Sequence, residues 1–182
     1  MKVTPLKIPD VLLIEPRVTK DSRGFFFESF REDVFRKETS LNVSFVQDNH
    51  SKSSQGVLRG LHYQLPPHAQ VKLVRVIQGE VLDIVVDIRA SSSTCGQYIA
   101  EILSSDNKKQ LYIPEGFAHG FLTLSDTSEF FYKTTDFYCP ESERCILWND
   151  KTLNIDWPRN INIQLSSKDL AGEAFISSEI FS

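Results

Sequence analysis

Short runs rich in valine, isoleucine, leucine and aromatic residues recur along this chain at nearly even spacing, with turn residues between them. They occupy 11–14, 43–47, 58–64, 71–78, 81–88, 98–103, 110–113, 120–124 and 130–135. Runs this short, so regularly broken, read as the strands of a sandwich or barrel. Asp21-Ser22-Arg23-Gly24 is a turn, after which Phe25-Phe26-Phe27 resumes extended structure. Gly79-Glu80 predicts a tight hairpin between two strands, and Ser105-Asp106-Asn107 another turn. Helices are expected only at 31–38, with Val34 and Phe35 as apolar contacts, and at 166–171, with Ser166 or Ser167 as the cap. No repeat, low-complexity stretch or linker interrupts the series, so one domain over 1–182 is expected. The fold class is all-β. A double-sheet jelly roll is preferred among sandwiches that this pattern alone does not separate.

Composition narrows the function. The net charge of −4 lacks the basic excess of a nucleic-acid binder, although a few local arginines can still hold an anionic small ligand. No run approaches the length of a membrane span, and the first residues lack a secretion signal, so a cytoplasmic location is expected. Cys95, Cys139 and Cys145 have no CxxC spacing, which argues against a disulfide framework or a zinc site. Thirteen phenylalanines suggest an aromatic core with rings to spare for a pocket.

Two segments set a histidine among apolar residues and glycine: Val57-Leu58-Arg59-Gly60-Leu61-His62-Tyr63-Gln64 and Ile113-Pro114-Glu115-Gly116-Phe117-Ala118-His119-Gly120-Phe121. By alternation His62 shares a face with Leu58 and Gly60, and Lys72 shares one with Val74 and Val76. If the Lys72 face is interior, the amine is partly buried and needs partners; otherwise Val71, Leu73 and Ile77 pack the core. Tyr132 alternates with Phe130 and Thr134, which half-buries it, either as an ordinary core tyrosine or as a pocket hydroxyl. Gly120 beside His119 would allow backbone to approach a ligand closely. Arg23, Arg59 and Lys72 could serve a phosphate group, though a single arginine is more often plain surface. Asp169, taken alone, is a carboxylate near a helix start.

The stretch Pro114–His119 resembles the second motif of the cupin superfamily, a family of small jelly rolls whose members often bind iron, manganese or zinc. The first cupin motif is broken here. His62-Tyr63-Gln64 stands where His-x-His would be, and Lys72 lies where a glutamate would follow. An ammonium repels a divalent cation, so no metal and no cofactor are expected, and the site is read as one for proton chemistry.

Further motifs follow in order: Asp21-x-Arg23-Gly24-Phe25-Phe26-x-Glu28, Phe45-x-Gln47-Asp48-Asn49-His50-Ser51, Lys72-Leu73-Val74-Arg75, Val86-Asp87-Ile88-Arg89 and Trp148-Asn149-Asp150. With the two histidine segments they make the chain, from about Ile8 to Asp169, resemble the dTDP-4-dehydrorhamnose 3,5-epimerase family. The resemblance implies a cupin-type jelly roll acting on a dTDP-4-keto-6-deoxy sugar. It implies His62 as base with Asp169 as its partner, Tyr132 as proton donor on the opposite face, and Lys72 beside the C4 oxygen. It further implies Arg23, Arg59 and Lys168 for the pyrophosphate, and Glu28, Gln47, Asn49 and Glu143 for nucleotide or sugar. His119 would touch substrate and Tyr138 would stack on thymine. Family members are homodimers whose N-terminal segments cross between subunits, so a homodimer is expected. Four alternatives remain at this stage: an epimerase acting at C3 or C5 only, a 3,4-ketoisomerase on the same scaffold, a metal-dependent cupin oxygenase, and a nucleotide-sugar binding module without catalysis.

Overall fold

A computed structural model describes residues 1–182. Six strands form one antiparallel sheet: β1 (Lys2–Pro5), β2 (Leu12–Glu15), β5 (Gln47–Ser54), β7 (Lys72–Gln78), β10 (Gln110–Ile113) and β12 (Thr127–Thr134). Their spatial order is β1-β2-β10-β7-β12-β5. Five form the second: β6 (Leu58–Gln64), β8 (Glu80–Asp87), β9 (Tyr98–Ser104), β11 (Phe117–Thr123) and β13 (Glu143–Cys145), in the order β13-β6-β11-β8-β9. The two sheets pack face to face as an all-β, double-sheet jelly roll. A separate exposed hairpin joins β3 (Thr19–Asp21) to β4 (Gly24–Phe26). The helices are α1 (Glu32–Thr39) and α2 (Ser167–Leu170).

Both faces of the central strands are covered. Between the sheets lie Val74, Val76, Leu111, Ile113 and Phe130 from one side and Val81, Val85, Ile99, Leu103, Phe117 and Phe121 from the other. Ile84, Val86, Ala118 and Leu122 point outward from the second sheet under Ile146, Leu153 and Trp157 of the C-terminal segment. Ile14, Val71, Leu73 and Tyr112 point outward from the first sheet under Phe35 of α1. Strands buried on both faces show continuous apolar runs instead of alternation. That is why either face of β7 was open as the interior one. Lys72 points inward with Val74 and Val76, while Val71 and Leu73 are buried on the other side.

Three expectations change. Residues 43–46 are not a strand; extended structure runs instead over β5, whose sequence QDNHSKSS offers no hydrophobic alternation. Its inward positions line a polar cavity, so apolar periodicity could not find it. Gly79 does not close a hairpin, because β7 and β8 belong to different sheets. It carries the chain from one sheet to the other with φ +76°, and a Cβ there would stand 2.0 Å from the Thr127 carbonyl oxygen.

The third change concerns His62. On β6, Gly60 and Leu61 together oppose the single residue Gly120 of β11, between the pairs His119↔His62 and Phe121↔Arg59. This bulge shifts the alternation by one residue. Leu58, Leu61 and Tyr63 all join the outer core, and His62 falls on the face of Arg59, not that of Leu58. Both glycines are required. A Cβ on Gly60 would lie 2.5 Å from the Gly120 Cα, and one on Gly120 would lie 2.7 Å from the Arg59 carbonyl oxygen. The backbone that approaches at Gly120 is therefore the neighbouring strand.

Candidate active site

One end of the space between the sheets opens into a cavity of about 410 Å³, within the range of small-molecule sites. Both sheets contribute to its wall. From the six-stranded sheet come Asn49 and Ser51 on β5, Lys72 on β7, and Phe130 and Tyr132 on β12. From the five-stranded sheet come Arg59, His62 and Gln64 on β6, His119 and Phe121 on β11, and Glu143 on β13. Ser166, Lys168 and Asp169, at α2, close one side, and Tyr138 stands at the rim.

Asp169 is fixed from several directions. Ser166 caps α2 and donates its hydroxyl to Asp169 Oδ2 at 2.6 Å, while the Asp169 amide donates back to the Ser166 hydroxyl. The freed amide of Gly60, at the bulge, donates to Asp169 Oδ1 at 3.1 Å. His62 Nε2 lies 2.9 Å from the same oxygen. That contact is close but off-line for an N–H···O bond, and Nε2 is a buried nitrogen without an aligned partner. Burial alone would push the Asp169 carboxyl up, but His62, Ser166 and the Gly60 amide outweigh it and hold the group ionised well below the usual carboxylate range.

Lys72 reaches across from the opposite sheet. Its Nζ donates to the His62 carbonyl at 3.2 Å. Burial lowers its pKa to about 8, with Glu143 and Asp83 acting in the other direction. Tyr132 is half buried and projects into the cavity from β12, where burial and Glu143 raise its pKa and keep the phenol protonated. His119 Nε2 lies 3.0 Å from Asp83, which is fully buried.

A polar chain runs along the rim. Tyr138 donates its hydroxyl to Glu143 at 2.7 Å, Lys168 pairs with the same carboxylate, and the Lys168 ammonium lies 5.8 Å from the Tyr138 ring centre. The Tyr138 amide donates to Gln47 Oε1, whose own amide donates to Asn49. Arg59 is held by Ser53 and the Lys52 carbonyl, with its guanidinium toward the cavity. His62, Lys72, Tyr132, Asp169, Arg59, Asn49, His119, Tyr138, Glu143 and Lys168 are thus gathered around one cavity, with Gln47 bonded to its wall. Arg23 and Glu28 are not. Arg23 sits on the exposed hairpin paired with Asp21, and Glu28 lines a separate, smaller cavity beside α1.

This geometry coincides with a family match. The sequence fits the model of the dTDP-4-dehydrorhamnose 3,5-epimerase family over residues 5–176. The chain belongs to this epimerase family. It is 57% identical over 181 residues to the dTDP-4-dehydrorhamnose 3,5-epimerase of Shigella flexneri, covering 100% of this chain and 99% of that one. Identity to the enzyme of that name from Pseudomonas aeruginosa is 58%, with the same coverage. A solved dTDP-6-deoxy-D-glucose-3,5-epimerase from Legionella pneumophila Philadelphia 1, in complex with dTDP-4-keto-L-rhamnose, superposes with a TM-score of 0.94 at 47% identity, covering 98% of this chain and 94% of that one.

Two residues that support the cavity wall are not legible in the sequence. Asp83 interrupts the apolar run of β8 and is fully buried, a signal of the same kind as Lys72. Gln64, read only as the residue replacing a cupin histidine, spends its whole amide on the rim. It donates to the carbonyls of His68 and Phe137 and accepts from the Cys139 amide, which pins the segment carrying Tyr138.

Proposed function

We propose that the chain inverts C3 and C5 of dTDP-4-dehydro-6-deoxy-D-glucose, giving dTDP-4-dehydro-L-rhamnose, by proton transfer through enolates. The observation that carries this reading is that His62, backed by Asp169 of α2, and Tyr132 stand on opposite sheets across one cavity, with Lys72 reaching from the Tyr132 sheet to the His62 carbonyl.

The C3 and C5 hydrogens flank the 4-keto group, so removing either leaves negative charge on the C4 oxygen. His62 takes the proton. With Nε2 turned toward Asp169, Nδ1 is the nitrogen left for the substrate, and the ionised Asp169 stabilises the imidazolium that forms. The Lys72 ammonium stabilises the developing oxyanion, a role that suits a cation held in a poorly solvated pocket. Tyr132, held protonated, delivers a proton from the other face, and exchange with solvent resets both groups. Arg59 and Lys168 supply positive charge for the diphosphate. Tyr138 offers its ring to thymine, and Asn49, Gln47, Glu143 and His119 offer polar contacts to sugar or nucleotide.

Arg23 and Glu28 fit this scheme only through a second copy of the chain. A homodimer with crossed N-terminal segments would bring the exposed hairpin to the partner's cavity.

The test is NMR of dTDP-4-dehydro-6-deoxyglucose with the purified protein in deuterated water. Deuterium at both C3 and C5 is expected. Exchange at one carbon would make the protein a mono-epimerase. No exchange, with nucleotide still bound, would leave a binding module.

A further inference from the structure

The pairing of β13 with β6 sets Cys145 directly opposite His62. The Cys145 thiol has only a weak contact with the Ile146 carbonyl, at 3.6 Å. A ring nitrogen of His62, the Cys145 sulfur and an Asp169 carboxylate oxygen all lie within 4.8 Å of one another, and no other three such side chains converge in the molecule. The proton chemistry above gives Cys145 no part, and it leaves His62 Nε2 buried beside Asp169 without an aligned hydrogen bond.

From this convergence we propose that His62, Cys145 and Asp169 form a three-ligand site for a thiophilic divalent cation such as zinc. Tetrahedral zinc, with bonds of about 2.0 Å to nitrogen or oxygen and 2.3 Å to sulfur, holds its ligand atoms roughly 3.3–3.6 Å apart. His62 and Asp169 would open slightly from 2.9 Å, and the sulfur would close by about 1 Å, movements within reach of χ rotation. Binding converts the Cys145 thiol to a metal thiolate and releases its proton to solvent. Thiolate and carboxylate together neutralise the dication, and a fourth position remains for water. One thiolate and one imidazole select zinc or cobalt(II) over magnesium or calcium. The site shares His62 with the first cupin motif, but its other ligands come from β13 and α2 and not from His119, which is turned to Asp83. Occupancy would take both members of the proposed base pair, so zinc would be an inhibitor. That consequence alone rests on the function proposed above.

The experiment is titration of the metal-free protein with cobalt(II), followed by its absorption spectrum. A thiolate-to-cobalt charge-transfer band with intense tetrahedral visible bands is expected, and zinc should displace both. Cys145→Ser and, independently, His62→Phe should weaken cobalt binding by at least about 10–100-fold, the usual loss for removing even an outer partner of a metal site. Near-ultraviolet circular dichroism identifies the variants that fold. Cys139→Ser and Cys95→Ser should leave the band unchanged. Cys145→Ser should also keep its deuterium exchange while losing sensitivity to zinc. Absence of the band in the wild type, or its survival in folded Cys145→Ser, overturns the site. Tight cobalt binding through Cys145 without zinc inhibition supports the site and counts instead against His62 as the base.

Discussion

Asp87 and Asp169 are both buried aspartates with depressed pKa values, yet they are used in opposite ways. Asp87, at the end of β8, is saturated. Arg89 forks onto both of its oxygens at 2.9 and 2.7 Å, Ser92 and Thr94 donate at 2.7 and 2.6 Å, and the Arg89 amide adds a fifth bond. Burial pushes its pKa up, but these donors outweigh that and bring it to about 2. All five come from the loop that follows the strand, and Arg89 also covers the Phe117 ring. Asp169 has only its cap and one distant amide, and its remaining neighbour is a misaligned histidine facing a cavity. The saturated carboxylate secures a loop, whereas the unsaturated one keeps interaction free for a group that changes charge.

The sharpest way to break this contrast is to neutralise each aspartate in turn. Asp169→Asn can retain most of its local bonds, so unfolding by urea should move by about 1 kcal/mol, one hydrogen bond. Deuterium wash-in, however, should slow by roughly 10²–10⁴-fold as the imidazolium loses its counter-charge. A collapse of stability with unchanged exchange per folded molecule would make Asp169 structural. Asp87→Asn should do the reverse. Leaving Arg89 with only the exposed Asp10 as a counter-charge should cost about 1–3 kcal/mol of stability, with normal turnover in the folded fraction. The acid limb gives a second check on Asp87. A carboxylate depressed on folding stabilises fully above its unfolded pKa, near 3.9, and loses that contribution as pH falls toward about 2. In Asp87→Asn the acid unfolding curve should therefore be shallower across that window than in the wild type.

Legibility in the sequence divides along the same line. Strands 58–64 and 110–113 could be read to the residue because apolar runs ended at turn residues. β5 could not, because the inward face of a strand lining a polar cavity looks like a loop in hydropathy. Nor could the sheet change at Gly79, since a turn glycine does not state which sheet the next strand joins. The ordered motifs brought His62, Lys72, Tyr132 and Asp169 to notice by resemblance. What put His62 in the cavity was the Gly60–Gly120 bulge, a pairing between strands far apart in the chain that simple alternation misread. Cys145 reads as unsuited to a metal from its spacing in the chain, because β13 is a short edge strand whose register with β6 exists only in three dimensions.

Lys72 offers the subtlest test, because it has features of both aspartates: buried like Asp87, and open to the cavity like Asp169. Burial lowers its pKa to about 8, from an unfolded value near 10.4. Between those values the unfolded chain binds more protons than the folded one, so stability should rise with pH across the window. An oxyanion donor, by contrast, must be protonated, so exchange should fall as pH rises through about 8. The same titration should therefore move stability up and rate down. Lys72→Met should raise the barrier by about 2–4 kcal/mol, flatten the alkaline limb of whatever activity remains, and abolish the alkaline gain in stability. A wild-type rate that stays level from pH 7 to about 9.5, measured beside a urea midpoint that climbs, would leave Lys72 as a buried strut bonded to the His62 carbonyl.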